Sequence, residues 1–166
     1  MPCNCIVDKP TYPQNEEWGP LLWLLLHTLA EKAGRQTSTL TMGDEQRAWP
    51  LFMKTLGPVI PCPYCRDHFQ DYVSAHPFDL PMDYYSWKEY IPLYFYNLHE
   101  SVNKRLGKPS YPFASLSTSY KDVGRIKPTL AQLEKMQERA IKMGGVSLLS
   151  WKAWLKQFNM VRASIL

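Results

Sequence analysis

Cys62-Pro63-Tyr64-Cys65 is the segment of this 166-residue chain whose spacing most directly names a chemistry. Thiolate is the reactive form of cysteine. A helix N-terminus stabilises negative charge there and lowers a thiol pKa from roughly 8.5. The pair follows a break made by Gly57-Pro58 and Pro61 and opens an apolar-periodic run. On a helix, an i, i+3 spacing puts both sulfurs on one face, near enough to bridge, and Pro63 restrains the turn between them. Such a disulfide opens and closes readily. A second close pair, Cys3/Cys5, lies near the N-terminus. Four cysteines are too few for a stapled mini-protein, and close pairing points to redox exchange or metal binding.

Four readings of the pair compete. Two core cysteines would behave as small hydrophobes. A zinc site would draw on Cys3, Cys5, Cys62 and Cys65, but Cys-x-Cys at a terminus is a poor knuckle. His68 lacks a His-x3–5-His partner, so no metal is expected. A glutaredoxin-like or thioredoxin-like oxidoreductase would carry its pair after a first strand in a βαβ pattern, and here two helical stretches precede it. The fourth reading is a thiol oxidase linked to a flavin. Two further stripes bear on the choice. Gly19, Trp23 and His27 are four residues apart and share one helix face, and His99 and Asn103 share another. Polar stripes beside apolar ones suit a cofactor site in a bundle core. Alone, Trp23 and His27 read as ordinary packing.

The elements that must position these residues are helical. Residues 1–15 carry three prolines and read as a flexible arm. Glu16–Gly34 reads as a helix with Trp18, Leu22, Leu25, Leu26 and Leu29 on one stripe. Residues 35–43 read as a polar loop. Asp44 is the expected cap of a helix to about Leu56, kinked or restarted at Pro50. Cys62–Ala75 forms a third helix. A fourth, capped by Ser86, runs to about Leu106, where Gly107 and Pro109 stop it. Residues 110–127 look irregular, with one helical turn. Pro128–Gly144 reads as a helix with a Leu130, Leu133, Met136 and Ala140 stripe, and Ser150–Val161 as another with Trp151, Trp154, Leu155 and Phe158 on one face. No strand-period run or internal repeat is visible. The class is all-α, a helical bundle.

Composition sets outer bounds. Hydrophobic residues at 45% and charged residues at 20% argue for one globular domain. Six Trp and ten Tyr give capacity to pack a flat ring system or a partner. The longest apolar stretch, Leu21–Leu26, is far below the ~20 residues of a membrane span, and no signal peptide is evident. Residues 121–166 carry nine Lys/Arg against three Asp/Glu. This reads as a solvated basic face rather than a docking tail, and no nucleic acid is expected.

Three blocks in order resemble the Erv/ALR family of FAD-dependent sulfhydryl oxidases: Gly19-Pro-Leu-Leu-Trp23-Leu-Leu-Leu-His27-Thr-Leu-Ala30, Ile60-Pro-Cys62-Pro-Tyr-Cys65, and Leu98-His99-Glu-Ser-Val102-Asn103-Lys-Arg-Leu106-Gly107-Lys108-Pro109. The resemblance covers roughly residues 16–122, with residues 123–166 as a helical C-terminal extension. It implies a four-helix bundle with a short fifth helix that binds FAD. Cys65 would lie against the flavin and Cys62 would meet the incoming thiol. Electrons would pass to molecular oxygen, giving hydrogen peroxide. Gly19, Pro20, Trp23, His27, His99, Val102, Asn103, Lys108 and Tyr120 would hold the cofactor. A thiol-bearing client or relay protein, a homodimer, and a mobile shuttle formed by Cys3/Cys5 are also implied. The chain departs from the family pattern at Pro20, at Glu100, and at Tyr96 and Phe113, which stand where a structural disulfide often joins the fourth and fifth helices. An aromatic contact is the expected substitute. The short form is similar to oxidases of large DNA viruses, which implies the host cytoplasm or virion, with the mitochondrial intermembrane space as the alternative.

Overall fold

A computed structural model describes residues 11–166. They form seven α-helices, and no strand occurs among them: α1 (Asn15–Lys32), α2 (Thr39–Leu56), α3 (Pro63–Ala75), α4 (Trp87–Leu106), α5 (Leu116–Ser119), α6 (Ile126–Lys142) and α7 (Leu148–Ile165). The all-α expectation holds.

The starts of α2 and α7 differ from the sequence reading, each for a local reason. α2 begins five residues before Asp44, because Ser38 accepts the Leu40 N–H and opens the helix there. The expected 35–43 loop is therefore largely helix, and Asp44 instead pairs with Arg47 at 2.6 Å. α2 also runs unbroken through Pro50. α7 starts earlier, at Leu148, because Ser147 Oγ accepts the Ser150 N–H at 3.0 Å. α4 ends as read, with Gly107 at φ 67°, a left-handed cap that glycine adopts without steric cost.

The core explains why the C-terminal helices exist. α7 lies along α2, and α6 and α4 flank α1. Trp49 and Phe52 from α2, Phe95 from α4, and Trp154 and Phe158 from α7 are all fully buried in one cluster. The buried stripe of α6 is turned from the one expected. Ile126, Thr129, Leu133, Gln137 and Ala140 face inward, while Leu130 and Met136 sit half-buried at its edge. Gln137 can face inward because its Nε2 donates to Val59 O at 2.7 Å. Glu45, fully buried, accepts from Gly34 N–H, Trp49 Nε1 and Tyr84 O–H and joins α1, α2 and the turn before α4. By contrast α3 buries only Phe69 completely. The helix that carries the cysteines is the open one.

Candidate functional site

Cys62 is the N-cap of α3. Its Sγ accepts the Cys65 N–H at 3.1 Å, so the sulfur takes up one of the amides that a helix start leaves unpaired. Pro63 occupies the first helical position, where its missing N–H costs nothing. Both sulfurs are half-buried. The sequence reading expected a depressed thiol. For Cys65 the balance is the reverse: burial, and then Cys62, push it up, and the Arg105 guanidinium beside it pulls it down.

Cys65 lines a cavity of about 590 Å³, within the range of small-molecule sites. α1 contributes Trp18, Gly19, Pro20 and Trp23, and α4 contributes His99, Val102, Asn103 and Arg105. Lys108, Tyr120 and Arg125 close the remaining side. A second cavity of about 330 Å³ shares His99, Asn103, Lys108 and Tyr120 with the first and adds His27 and Glu100. The two sequence stripes thus meet. Trp23 stacks on His99 at 3.9 Å between ring centroids, with planes 4° apart, and His27 stacks on Tyr120 at 4.6 Å. His27 Nε2 and His99 Nδ1 are 2.9 Å apart, a hydrogen bond in which one ring donates to the other. Burial holds His27 down to about 3 and His99 to about 4, so both rings are neutral at pH 7.

Nine residues named from the sequence, Gly19 through Tyr120, all line one or both cavities, and Cys65 joins them. His27 lines only the second. Cys62 is not in either wall. Cys3 and Cys5 lie outside the described residues. Tyr96 and Phe113 make the expected aromatic contact, edge to face at 5.1 Å, and Tyr96 O–H donates to Tyr111 O at 2.7 Å.

Sequence reasoning missed three contributors. Glu100, noted only as a departure, accepts from Asn103 Nδ2 and Tyr111 N–H and so fixes the loop that carries Lys108. These donors hold its carboxyl below the usual range, with the bond from Ser110 the largest cause. His68 lines the cavity and contacts Ser101 Oγ at 3.1 Å instead of a metal, and among the described residues no His, Cys, Asp and Glu cluster could hold one. Arg105 gave no signal because its partner, Cys65, is 40 positions away in sequence.

Fold and site together define a helical protein with one sulfur of a Cys-x-x-Cys pair, that of Cys65, in the wall of an aromatic-shelved cavity. The Erv1 / Alr family model matches residues 20–121. The chain belongs to that family. It is 33% identical over 97 residues to the "Putative FAD-linked sulfhydryl oxidase 347L" of Invertebrate iridescent virus 6; the match covers 57% of this chain and 84% of that one. It is 28% identical over 99 residues to the FAD-linked sulfhydryl oxidase ERV1 of Oryza sativa subsp. japonica, covering 58% and 45%. It is 24% identical over 122 residues to the mitochondrial FAD-linked sulfhydryl oxidase ERV1 of Saccharomyces cerevisiae, covering 74% and 60%. The matches thus span about half to four-fifths of these relatives' lengths. No solved structure matches the chain significantly.

Proposed function

We propose that this protein is an FAD-linked thiol oxidase that forms disulfide bonds in protein substrates. The observation that carries the reading is Cys65 in the same wall as the Trp23–His99 shelf. The residues present fit a flat, anionic dinucleotide. A Cβ at Gly19 would meet nothing within 4 Å, so protein packing does not dictate the bare backbone on that wall. Trp18 Nε1 and Arg105 Nε are buried without a partner among the described residues, and both residues line the cavity. Trp23, His27, His99 and Tyr120 offer ring faces, Gly19 and Pro20 leave room along α1, and Val102 and Asn103 face them from α4. Lys108 offers positive charge to phosphate.

The dithiol chemistry follows from placement. Cys62, outside the cavity wall, meets the incoming thiolate, and the mixed disulfide forms there. Cys65, in the wall, keeps the electron pair of the broken S–S bond. FAD, when bound, supplies the two-electron acceptor that passes those electrons to molecular oxygen, with hydrogen peroxide as product. The shelf orients a planar ring system, and the neutral His27–His99 pair adds no charge beside it. Purified protein should be yellow, absorbing near roughly 450 nm, with one FAD per chain. A colourless protein that FAD cannot reconstitute overturns the reading.

Cys3 and Cys5 are proposed as a shuttle that relays electrons from the client to Cys62. The root of the arm supports this. Tyr12 O–H donates to Pro61 O, next to Cys62, and Arg139 on α6 donates to Thr11 O at 2.9 Å. From Tyr12, the seven residues back to Cys5 span at most about 25 Å, ample to reach Cys62 of the same chain. Replacing both cysteines with Ser should slow oxidation of a protein thiol and spare turnover with dithiothreitol. Unchanged protein-substrate kinetics would remove the shuttle. A homodimer is proposed with it. Exposed Leu40 and Leu51 of α2 and the Leu148–Leu149 pair offer apolar surface to a second copy, and sedimentation equilibrium at twice 19.3 kDa tests it. The proposed site of action follows the viral relative, the host cytoplasm or virion, rather than the mitochondrial one. No helix among the described residues is long and apolar enough to cross a membrane.

A further inference from the structure

The two sulfurs of the pair are served by different parts of the fold. Cys62 Sγ receives a backbone N–H from the start of its own helix, Cys65 N–H, at 3.1 Å. The amide that would face Cys65 is spent on that bond. Cys65 has its own partner from another helix. Arg105, in the last turn of α4, extends its guanidinium over the first turn of α3. Its Nη1 donates to Tyr64 O, the carbonyl between the two cysteines, at 3.3 Å. Its Nε is buried with no partner among the described residues, and the side chain lines the cavity that Cys65 lines. A buried guanidinium edge without an acceptor is costly. It is retained where an anion forms transiently in front of it.

We propose that Arg105 receives the negative charge that develops on Cys65 when the Cys62–Cys65 disulfide opens. The inference rests on the redox reading of that pair. A client or shuttle thiolate attacks Cys62 Sγ, and a new S–S bond forms to it. The Cys62–Cys65 bond breaks, and its electron pair stays on Cys65 Sγ as a thiolate facing Arg105. No proton moves and no further oxidant is needed. Exchange is faster when the leaving thiol has the lower pKa. A cation at Cys65 eases its departure and so favours attack at Cys62.

The groups acting on Cys65 agree with this division. Burial and the adjacent Cys62 oppose a thiolate there, and Arg105 favours it. His68, one turn further along α3, is held below its ordinary value by burial and by the same arginine, against the opposing pull of Asp71. Glu16 of α1 is an acid in the cavity wall, and Asn103 and Lys108 lie beyond on the α4 side. Arg105 also sits where a cation complements a helix C-terminus. A purely structural role of that kind predicts loss of stability and no change at Cys65.

The test uses the full chain with Cys62→Ser, so that Cys65 titrates without its bridging partner. Iodoacetamide alkylation is followed against pH by mass spectrometry of the peptide carrying Cys65. An opposite charge within about 4–6 Å shifts a pKa by about one unit or more. Arg105→Met and Arg105→Gln should therefore each raise the midpoint and cut the alkylation rate at pH 7 about tenfold. Arg105→Lys should restore most of the rate. An unchanged midpoint in both neutral variants, with wild-type circular dichroism, overturns the proposal, and so does an equal shift in Arg105→Lys. The readout needs no flavin, so a colourless preparation would remove the oxidase reading while leaving this result intact.

Discussion

Two aromatic clusters share residue types and differ in what fills them. Around Trp49, Phe52, Trp154 and Phe158, every ring is fully buried, and protein meets protein on all sides. Around Trp23, His27, His99 and Tyr120, the rings stack and border two cavities, with His27 buried and the other three partly open. The first cluster includes α7, from the C-terminal extension, and the second stands in the segment that matches the family. An aromatic surplus in a sequence thus divides into rings that close a core and rings left as a shelf. The neighbours of the shelf tell them apart: a glycine with open space at its missing Cβ, and the cavities that the rings border.

The comparison breaks most visibly at the core. Trp154→Ala empties a fully packed site and should cost about 3–5 kcal/mol, read as a lower urea midpoint. A chain ending near residue 124 loses α6 and α7 together and bares the packed faces of α1 and α2. It should elute aggregated on gel filtration. A monodisperse, folded product would show that the extension is not part of the core.

At the shelf the expected pattern is inverted. Trp23→Ala should change apo stability by only about 1–2 kcal/mol, since its ring is partly buried and is stacked on His99 and His27 at the edge of the core. FAD affinity should fall at least about tenfold, which is the share of binding that a stacking contact of this size supplies. A large loss of stability with unchanged affinity would make Trp23 a core residue and remove the distinction.

Protonation sharpens the same contrast. His27 and His99 titrate near 3 and 4 in the folded protein and at 6.5 as unperturbed side chains. Between those values the unfolded chain binds more protons than the folded one. Their contribution to stability is therefore intact above pH 6.5 and is lost as pH falls toward 4. Urea midpoints should decline across that window, and His99→Asn should flatten the decline. An identical slope in the variant would place the pH sensitivity elsewhere.

The smallest effect concerns the α5 segment. It is held by the Tyr96–Phe113 contact, and only Leu116 is fully buried within it. Amides 112–122 should exchange faster than those of α1 and α4. Protection equal to the core would contradict a separately opening segment.

Most of the bundle was legible because its helices carry local signals: apolar stripes, the Cys62 N-cap with Pro63 behind it, and Gly107 at the end of α4. Boundaries failed where two caps competed. Ser38 and Asp44 are both good N-caps, and only packing against α7 shows how much of the segment is helix. The inward face of α6 was misread because Gln137 is polar, and its bond to Val59 O is non-local. The shelf residues were legible through spacing within one helix together with the family blocks. Arg105 was not, because a cation one helix away from the thiol it serves leaves no periodic trace.

The central claim is that Cys65 links Cys62 to a flavin held in the cavity. The most direct measurement is anaerobic addition of dithiothreitol to the yellow protein, followed by absorbance near roughly 450 nm. The account predicts rapid bleaching in the wild-type chain and none on the same timescale in Cys65→Ser that retains its FAD. Equal bleaching in the two proteins would contradict it.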